Sequence, residues 1–121
     1  MNNEIIKFVN GDLQLDVTVS PNEETVWLTQ KQMAELFDVK SQAITRYLKN
    51  IYNDEELFKE ATCSKMEQVQ MEGSRKITRK MDFYNLDAII AVGYRVNSKK
   101  ATSFRRWATS IMKKYMIKNI R

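Results

Sequence analysis

Gln42, Thr45, Arg46, Lys49 and Asn50 recur at i, i+3, i+4, i+7 and i+8, the spacing that lines up one face of a helix. Together they carry amide, hydroxyl, guanidinium and ammonium groups. The chemistry this permits is hydrogen bonding rather than bond making. Arg46 and Gln42 have long donors suited to guanine or adenine edges in a major groove, and Thr45 suits a thymine methyl or a phosphate. Lys49, toward the far end of the helix, reads as a phosphate clamp. Phosphate contacts would set register and base contacts would set sequence preference. A second basic group, Arg75, Lys76, Arg79 and Lys80, occupies the tip and stem of an expected hairpin. A ribbon of that kind can lie along a backbone or in a minor groove as a wing, or be an ordinary solvated hairpin. Arg105 and Arg106 are candidates for weaker phosphate contacts.

Catalysis is not expected. The chain has no histidine, so the usual general base is missing. Its single cysteine, Cys63, has Lys65 nearby but no base to activate it, and reads as a structural or surface thiol. Asp82 and Asp87 are isolated in sequence. No metal-ligand pattern and no phosphate-binding glycine loop is present, so no metal and no cofactor is expected. Function is then expected from a binding surface.

The elements that must position these residues follow from periodicity. Glu4–Val9 and Leu13–Val19 flank Asn10-Gly11, a strong hairpin signal. Leu13, Leu15, Val17 and Val19 alternate with polar residues, so one face of the second strand is buried. Val26-Trp27-Leu28 predicts a third strand. Thr29 is placed to cap a helix over Gln30–Phe37, with Met33, Leu36 and Phe37 on one side. Asp38-Val39-Lys40 breaks that helix, and Ser41 is placed to cap the next, whose apolar stripe is Ile44, Tyr47, Leu48 and Ile51. Ala34 falls where two crossing helices come closest. Asp38 stands at a turn position often filled by glycine, and Asp tolerates left-handed backbone. This is the helix-turn-helix arrangement, which can place its second helix in DNA. It is also compatible with a helical hairpin that binds nothing. A further small helix or turn is expected near Asp54. Glu67–Met71 and Lys76–Tyr84 form the basic hairpin, with Ile77, Met81 and Phe83 on one face. Asn85 is placed to cap a helix ending near Gly93, and Ser98 to cap the last. There Phe104, Trp107, Ala108, Ile111, Met112 and Tyr115 form a stripe that reads as core, or in part as a dimer seam.

The charge is unevenly spread. Up to Asp38 there are two cations and seven acids, a net of −5, and from Val39 onward the balance is +10. After Asp87 there is no acid, against Arg95, Lys99, Lys100, Arg105, Arg106, Lys113, Lys114, Lys118 and Arg121. Such clustering suits a polyanion, because each neutralised phosphate releases condensed counterions. A length of 121 residues fits one domain, 1–121. No apolar run approaches the roughly 18 residues of a membrane span. With no secretory pattern at the start and one cysteine, a cytoplasmic location is expected.

Three blocks carry a resemblance: ETVWLTQKQMAELF at 24–37, FYNLDAIIAVGYRVNS at 83–98 and ATSFRRWAT at 101–109. In order and spacing they resemble the virulence-associated RhuM family of bacteria, across nearly the whole chain. More distantly, the layout resembles the Bro-N domain of phage antirepressors and baculovirus repeated-ORF proteins. There too a Trp-containing strand precedes a helix pair and an FRRW-type helix closes the domain. The resemblance implies a DNA-binding-type α+β domain of mobile-element or phage origin. RhuM-like proteins usually continue well beyond this length, so it also implies an N-terminal domain or a short natural form. Trp27, Phe104, Arg105, Arg106 and Trp107 match the family motifs, the three aromatics as fold-holding residues.

The expected architecture is therefore α+β: small sheet and hairpins, a winged helix-turn-helix-like core and two C-terminal helices. The expected function is sequence-specific binding of double-stranded DNA by a transcriptional regulator, with a homodimer as one form. The alternative is a protein-interaction module, an antirepressor or an inhibitor of a nucleic-acid enzyme. The acidic N-terminal segment favours that alternative, because it would repel DNA but could dock on a basic protein.

Overall fold

Strand β1 (Glu4–Asn10) turns back through Gly11 and Asp12 into β2 (Leu13–Ser20), with Asn10 opposite Leu13 in the ladder. Gly11 has φ +62°, a left-handed conformation that costs glycine little. The turn therefore falls one residue later than the Asn10-Gly11 dipeptide predicts. A 3-10 turn, Pro21–Glu23, leads to β3 (Thr25–Thr29), the expected third strand. These elements belong to a computed structural model that describes the backbone of residues 3–119 and side chains from Asn3 to Tyr115.

Thr29 ends β3 and caps α1 (Gln30–Phe37). Its hydroxyl accepts from the Gln32 backbone N–H at 3.2 Å, and the Gln32 side chain accepts from the Thr29 N–H at 2.9 Å. This reciprocal pair satisfies two donors that the first helical turn leaves free. Asp38 closes α1 in the left-handed region, φ 55° and ψ 50°. Helix α2 (Ser41–Asn53) follows after two residues. Its N-cap is Lys40, and no side chain bonds to the cap. Ser41 is thus the first residue of the helix and not its cap, correcting the expectation. A four-residue helix, α3 (Lys59–Thr62), runs into β4 (Cys63–Glu72), which turns through Gly73 and Ser74 into β5 (Arg75–Asn85). Strand β4 begins four residues before the expected Glu67, because Cys63 already pairs with Tyr84. Asn85 caps α4 (Leu86–Arg95), its side-chain oxygen accepting from Ala88 N–H at 3.1 Å, and α5 (Lys100–Asn119) closes the described chain.

The five strands form one antiparallel sheet in the order β1-β2-β3-β5-β4. The fold class is α+β, as read from the sequence. Phe8, Leu15, Val17, Val19, Val26, Leu28 and Tyr84 form the sheet's share of the main core, under Met33, Leu36, Phe37, Ile44, Leu48, Ile51, Ile89, Val92 and Phe104 from the helices. Phe104 and Trp107 of α5 meet Phe8 edge-on, with centroids 5.2 and 5.3 Å from its ring. The α5 stripe is therefore core, as expected. Alternation along the strands puts Trp27 and Phe83 on the reverse face, where both are buried. Trp27 Nε1 donates to Ser20 Oγ at 2.9 Å, and Ser20 Oγ donates to Asn3 Oδ1 at 2.7 Å.

Gly93 does not end α4. The helix continues to Arg95, and a Cβ on Gly93 would lie 2.4 Å from Ala101 Cβ and 3.1 Å from the Phe37 ring. Glycine is needed there because α4 crosses α5 and α1 too closely for a side chain.

Candidate nucleic-acid interface

Helix α2 buries Ile44, Leu48 and Ile51 and packs on α1 and α4. That packing fixes which side faces out. Gln42, Thr45, Arg46, Lys49 and Asn50 are all exposed, and α2 contains no acid. The Arg46 guanidinium sits 5.3 Å from the centroid of the Tyr47 ring, a cation–π contact. Thr45 is exposed but not free to turn. Its hydroxyl donates to the Ser41 carbonyl at 3.2 Å and accepts from the side-chain amide of Gln30. The same amide donates to the Ser41 carbonyl at 3.0 Å. Gln30 thereby ties the start of α1 to the outer face of α2, a role invisible in the sequence because the partners are 11 and 15 residues away.

The root of the β4–β5 hairpin lies beside α2. Thr45, Leu48, Lys49, Tyr52 and Asn53 share a concavity of about 310 Å³ with Gln30, Lys59 and Tyr84. Tyr52 is hydrogen-bonded to Thr62 at 2.9 Å, which fixes α3 against α2. Burial pushes the Tyr52 phenol up, while its Thr62 hydrogen bond acts the other way. Burial also raises the Tyr84 phenol strongly, with Cys63 and Asp82 adding to it. The Cys63 thiol is raised by burial first and by the Asp82 carboxylate next. These groups therefore stay neutral at neutral pH, and Cys63 is a thiol rather than a thiolate nucleophile. The charges near the concavity are those of Lys49 and Lys59, and of Lys65 paired with Asp82 at 2.8 Å. Lys59 and Tyr84 were not singled out in the sequence reading, because only the tertiary fold brings them to α2.

Register divides the four hairpin cations. On β5, Lys76 and Lys80 alternate with Tyr84 and share its side, the side that meets α2. Arg75 and Arg79 lie on the opposite side with Ile77, Met81 and Phe83, the apolar face read from the sequence. The acids of the hairpin temper its charge. Glu72 binds Arg79 at 2.6 Å, Asp82 binds Lys65, and Glu67 stands opposite Lys80. Lys76 is opposite apolar Met71 and has no ion-pair partner among the described residues.

Arg105 and Arg106 are exposed on α5. They are not gathered with the α2 ridge. Helix α4 packs against both α2 and α5, and Arg105 borders a groove shared with Glu56, Asp87 and Tyr94. Arg95 holds Asp54 at 3.2 Å and Glu56 at 2.9 Å, so an acidic turn follows α2, and its Glu56 lines the same groove as Arg105. The side chains of Lys118 and Arg121 lie outside the described residues. Among the described residues, no helix is long and apolar enough to cross a membrane.

No curated protein and no solved structure matches this chain. The model of the Virulence protein RhuM family matches residues 61–120. That span runs from α3 through the basic hairpin and contains the FYNLDAIIAVGYRVNS and ATSFRRWAT blocks; the ETVWLTQKQMAELF block lies before it. Over residues 61–120, which carry the hairpin, α4 and α5, the chain resembles the Virulence protein RhuM family.

Proposed function

We propose that this protein is a sequence-specific double-stranded DNA-binding module, a cytoplasmic transcriptional regulator of mobile-element or phage origin. In this reading α1 and α2 act as a helix-turn-helix and the β4–β5 hairpin as its wing. The observation that carries it is the α2 ridge: Gln42, Thr45, Arg46, Lys49 and Asn50 all solvent-exposed, without an acid on the helix. Gln42, Arg46 and Asn50 supply donors for base edges, Thr45 offers its methyl to a thymine methyl, Lys49 contacts phosphate, and Lys76 and Lys80 extend that contact from the adjoining hairpin face. Arg46→Ala is expected to relax base preference and to weaken binding by about 1–3 kcal/mol in a fluorescence-anisotropy titration against a selected site. Unchanged affinity and preference would show that α2 is not the reading helix.

A second reading is a protein-interaction module, an antirepressor or an inhibitor of a nucleic-acid enzyme. Phe58 and Tyr94, 60% and 68% exposed, favour it, standing near a groove lined by Leu57, Leu86 and Ile90. A pulldown in high salt with nuclease present separates the two. A stoichiometric protein partner, with no duplex binding at low salt, would support this second reading.

A further inference from the structure

We propose that the outward face of α5 is a second phosphate-binding surface, which holds the backbone of a DNA segment other than the one under α2. Six residues form it: Arg105, Arg106, Thr109, Ser110, Lys113 and Lys114. They fall into two rows at i, i+4, i+8, each running arginine, hydroxyl, lysine. All six are exposed and stand opposite the buried Phe104, Ala108, Ile111 and Met112.

The face is built for phosphate. Helix α5 contains no acid, and none of the four cations has a hydrogen-bond or ion-pair partner among the described residues. They span nine residue steps, about 13 Å of helix. A duplex presents one negative charge per roughly 1.7 Å of its axis, so several phosphates fall within that reach. Each arginine can grip a phosphate with two parallel N–H donors, and the hydroxyls between the charged pairs can donate to neighbouring oxygens. A lipid surface fits less well. Membrane-lying helices insert an apolar face, and that side of α5 is spent on Phe8 and the core.

The segment bound there differs from the one under α2. Helix α4 packs against both α2 and α5, Arg95 holds Asp54 and Glu56 just after the end of α2, and Glu56 lines the same groove as Arg105, so carboxylates that would repel a duplex lie where one would leave α2 for α5. One molecule would then bridge two duplexes. This inference shares the DNA reading above but not its assignment of α2.

The test is bridging. A bead-tethered duplex is incubated with the protein and a free fluorescent duplex, and capture of the free duplex is measured from 50 to 300 mM salt. The native chain should capture it. The variant with R105A, R106A, K113A and K114A should lose capture at least tenfold while still binding the tethered duplex. Its bridging should also depend less on salt, by about 0.9 in log–log slope per lost contact. S110E, which places one negative charge between Arg106 and Lys114 of one row, should weaken capture without altering the far-UV circular dichroism. Undiminished bridging by the fourfold variant overturns the proposal and points instead to a dimer joined through two α2 ridges. Absence of any duplex binding by the native chain also overturns it, as does loss by the variant of binding to phosphatidylserine vesicles only. If the Arg46→Ala, Lys49→Ala double variant keeps full affinity and preference while the α5 variant loses bridging, the α2 assignment fails and this one stands.

Discussion

The side-chain amide of Gln30 donates to the hydroxyl of Thr45, joining the first residue of α1 to the exposed ridge of α2. The bond does more than brace two helices. With the bond to the Ser41 carbonyl, it selects one orientation of the Thr45 hydroxyl. Gln30→Ala is expected to lower stability by about 0.5–1.5 kcal/mol, the worth of a typical neutral hydrogen bond. Urea denaturation measures this. Duplex binding should also weaken, because Thr45 must then be ordered on docking. Stability and binding both at native levels would remove Gln30 from the site.

The hairpin cations should divide by face. Lys76→Ala is expected to weaken binding to all duplex sequences alike and to flatten the salt dependence by about one contact. Arg79→Ala should do less, since Glu72 already engages Arg79 and both lie away from the α2 side. Equal losses at the two positions, in titrations across salt, would contradict the register argument.

Gly93→Ala should be strongly destabilising. The added methyl would overlap Ala101 and press on the Phe37 ring, and overpacking of this kind costs about 1–3 kcal/mol or more. Thermal unfolding of Gly93→Ala alone and with Ala101→Gly tests the cause. The second change should recover most of the loss if the clash is the reason.

The alkaline limb of stability should report Tyr115. Its hydroxyl bonds to Glu4, and that bond first, then desolvation, raises the phenol from its ordinary value to about 12. A group whose folded value is raised contributes stability that is complete below the unfolded value of 10 and is lost as pH rises through 12. Tyr115→Phe should therefore show a smaller loss of stability than the native chain between pH 10 and 12, measured by urea midpoints. Parallel curves would show that this bond contributes nothing.

The local architecture was legible in the sequence wherever short-range chemistry decides it. Thr29 and Asn85 cap their helices because their side-chain oxygens reach N–H groups three residues on, and Asp38 takes the left-handed turn. Apolar spacing in α2 settled which residues point out, so the exposed ridge of Gln42, Thr45, Arg46, Lys49 and Asn50 could be named from 3.6-residue periodicity alone. Local rules failed at Ser41, and they placed the end of α4 within two residues of Gly93 without giving that glycine's role. A serine suited to capping sits one residue inside the helix and is bonded instead by Gln30. A glycine that reads as a stop is a crossing point, because the constraint comes from Ala101 and Phe37 rather than from its own helix. Only the tertiary structure set Lys59 and Tyr84 against α2, split Arg75 and Arg79 from Lys76 and Lys80, and moved Arg105 and Arg106 to another surface. Periodicity records how a segment meets its own neighbours. The pairing of distant strands and the order of packed helices depend on contacts tens of residues apart, and those decide which charges share a face.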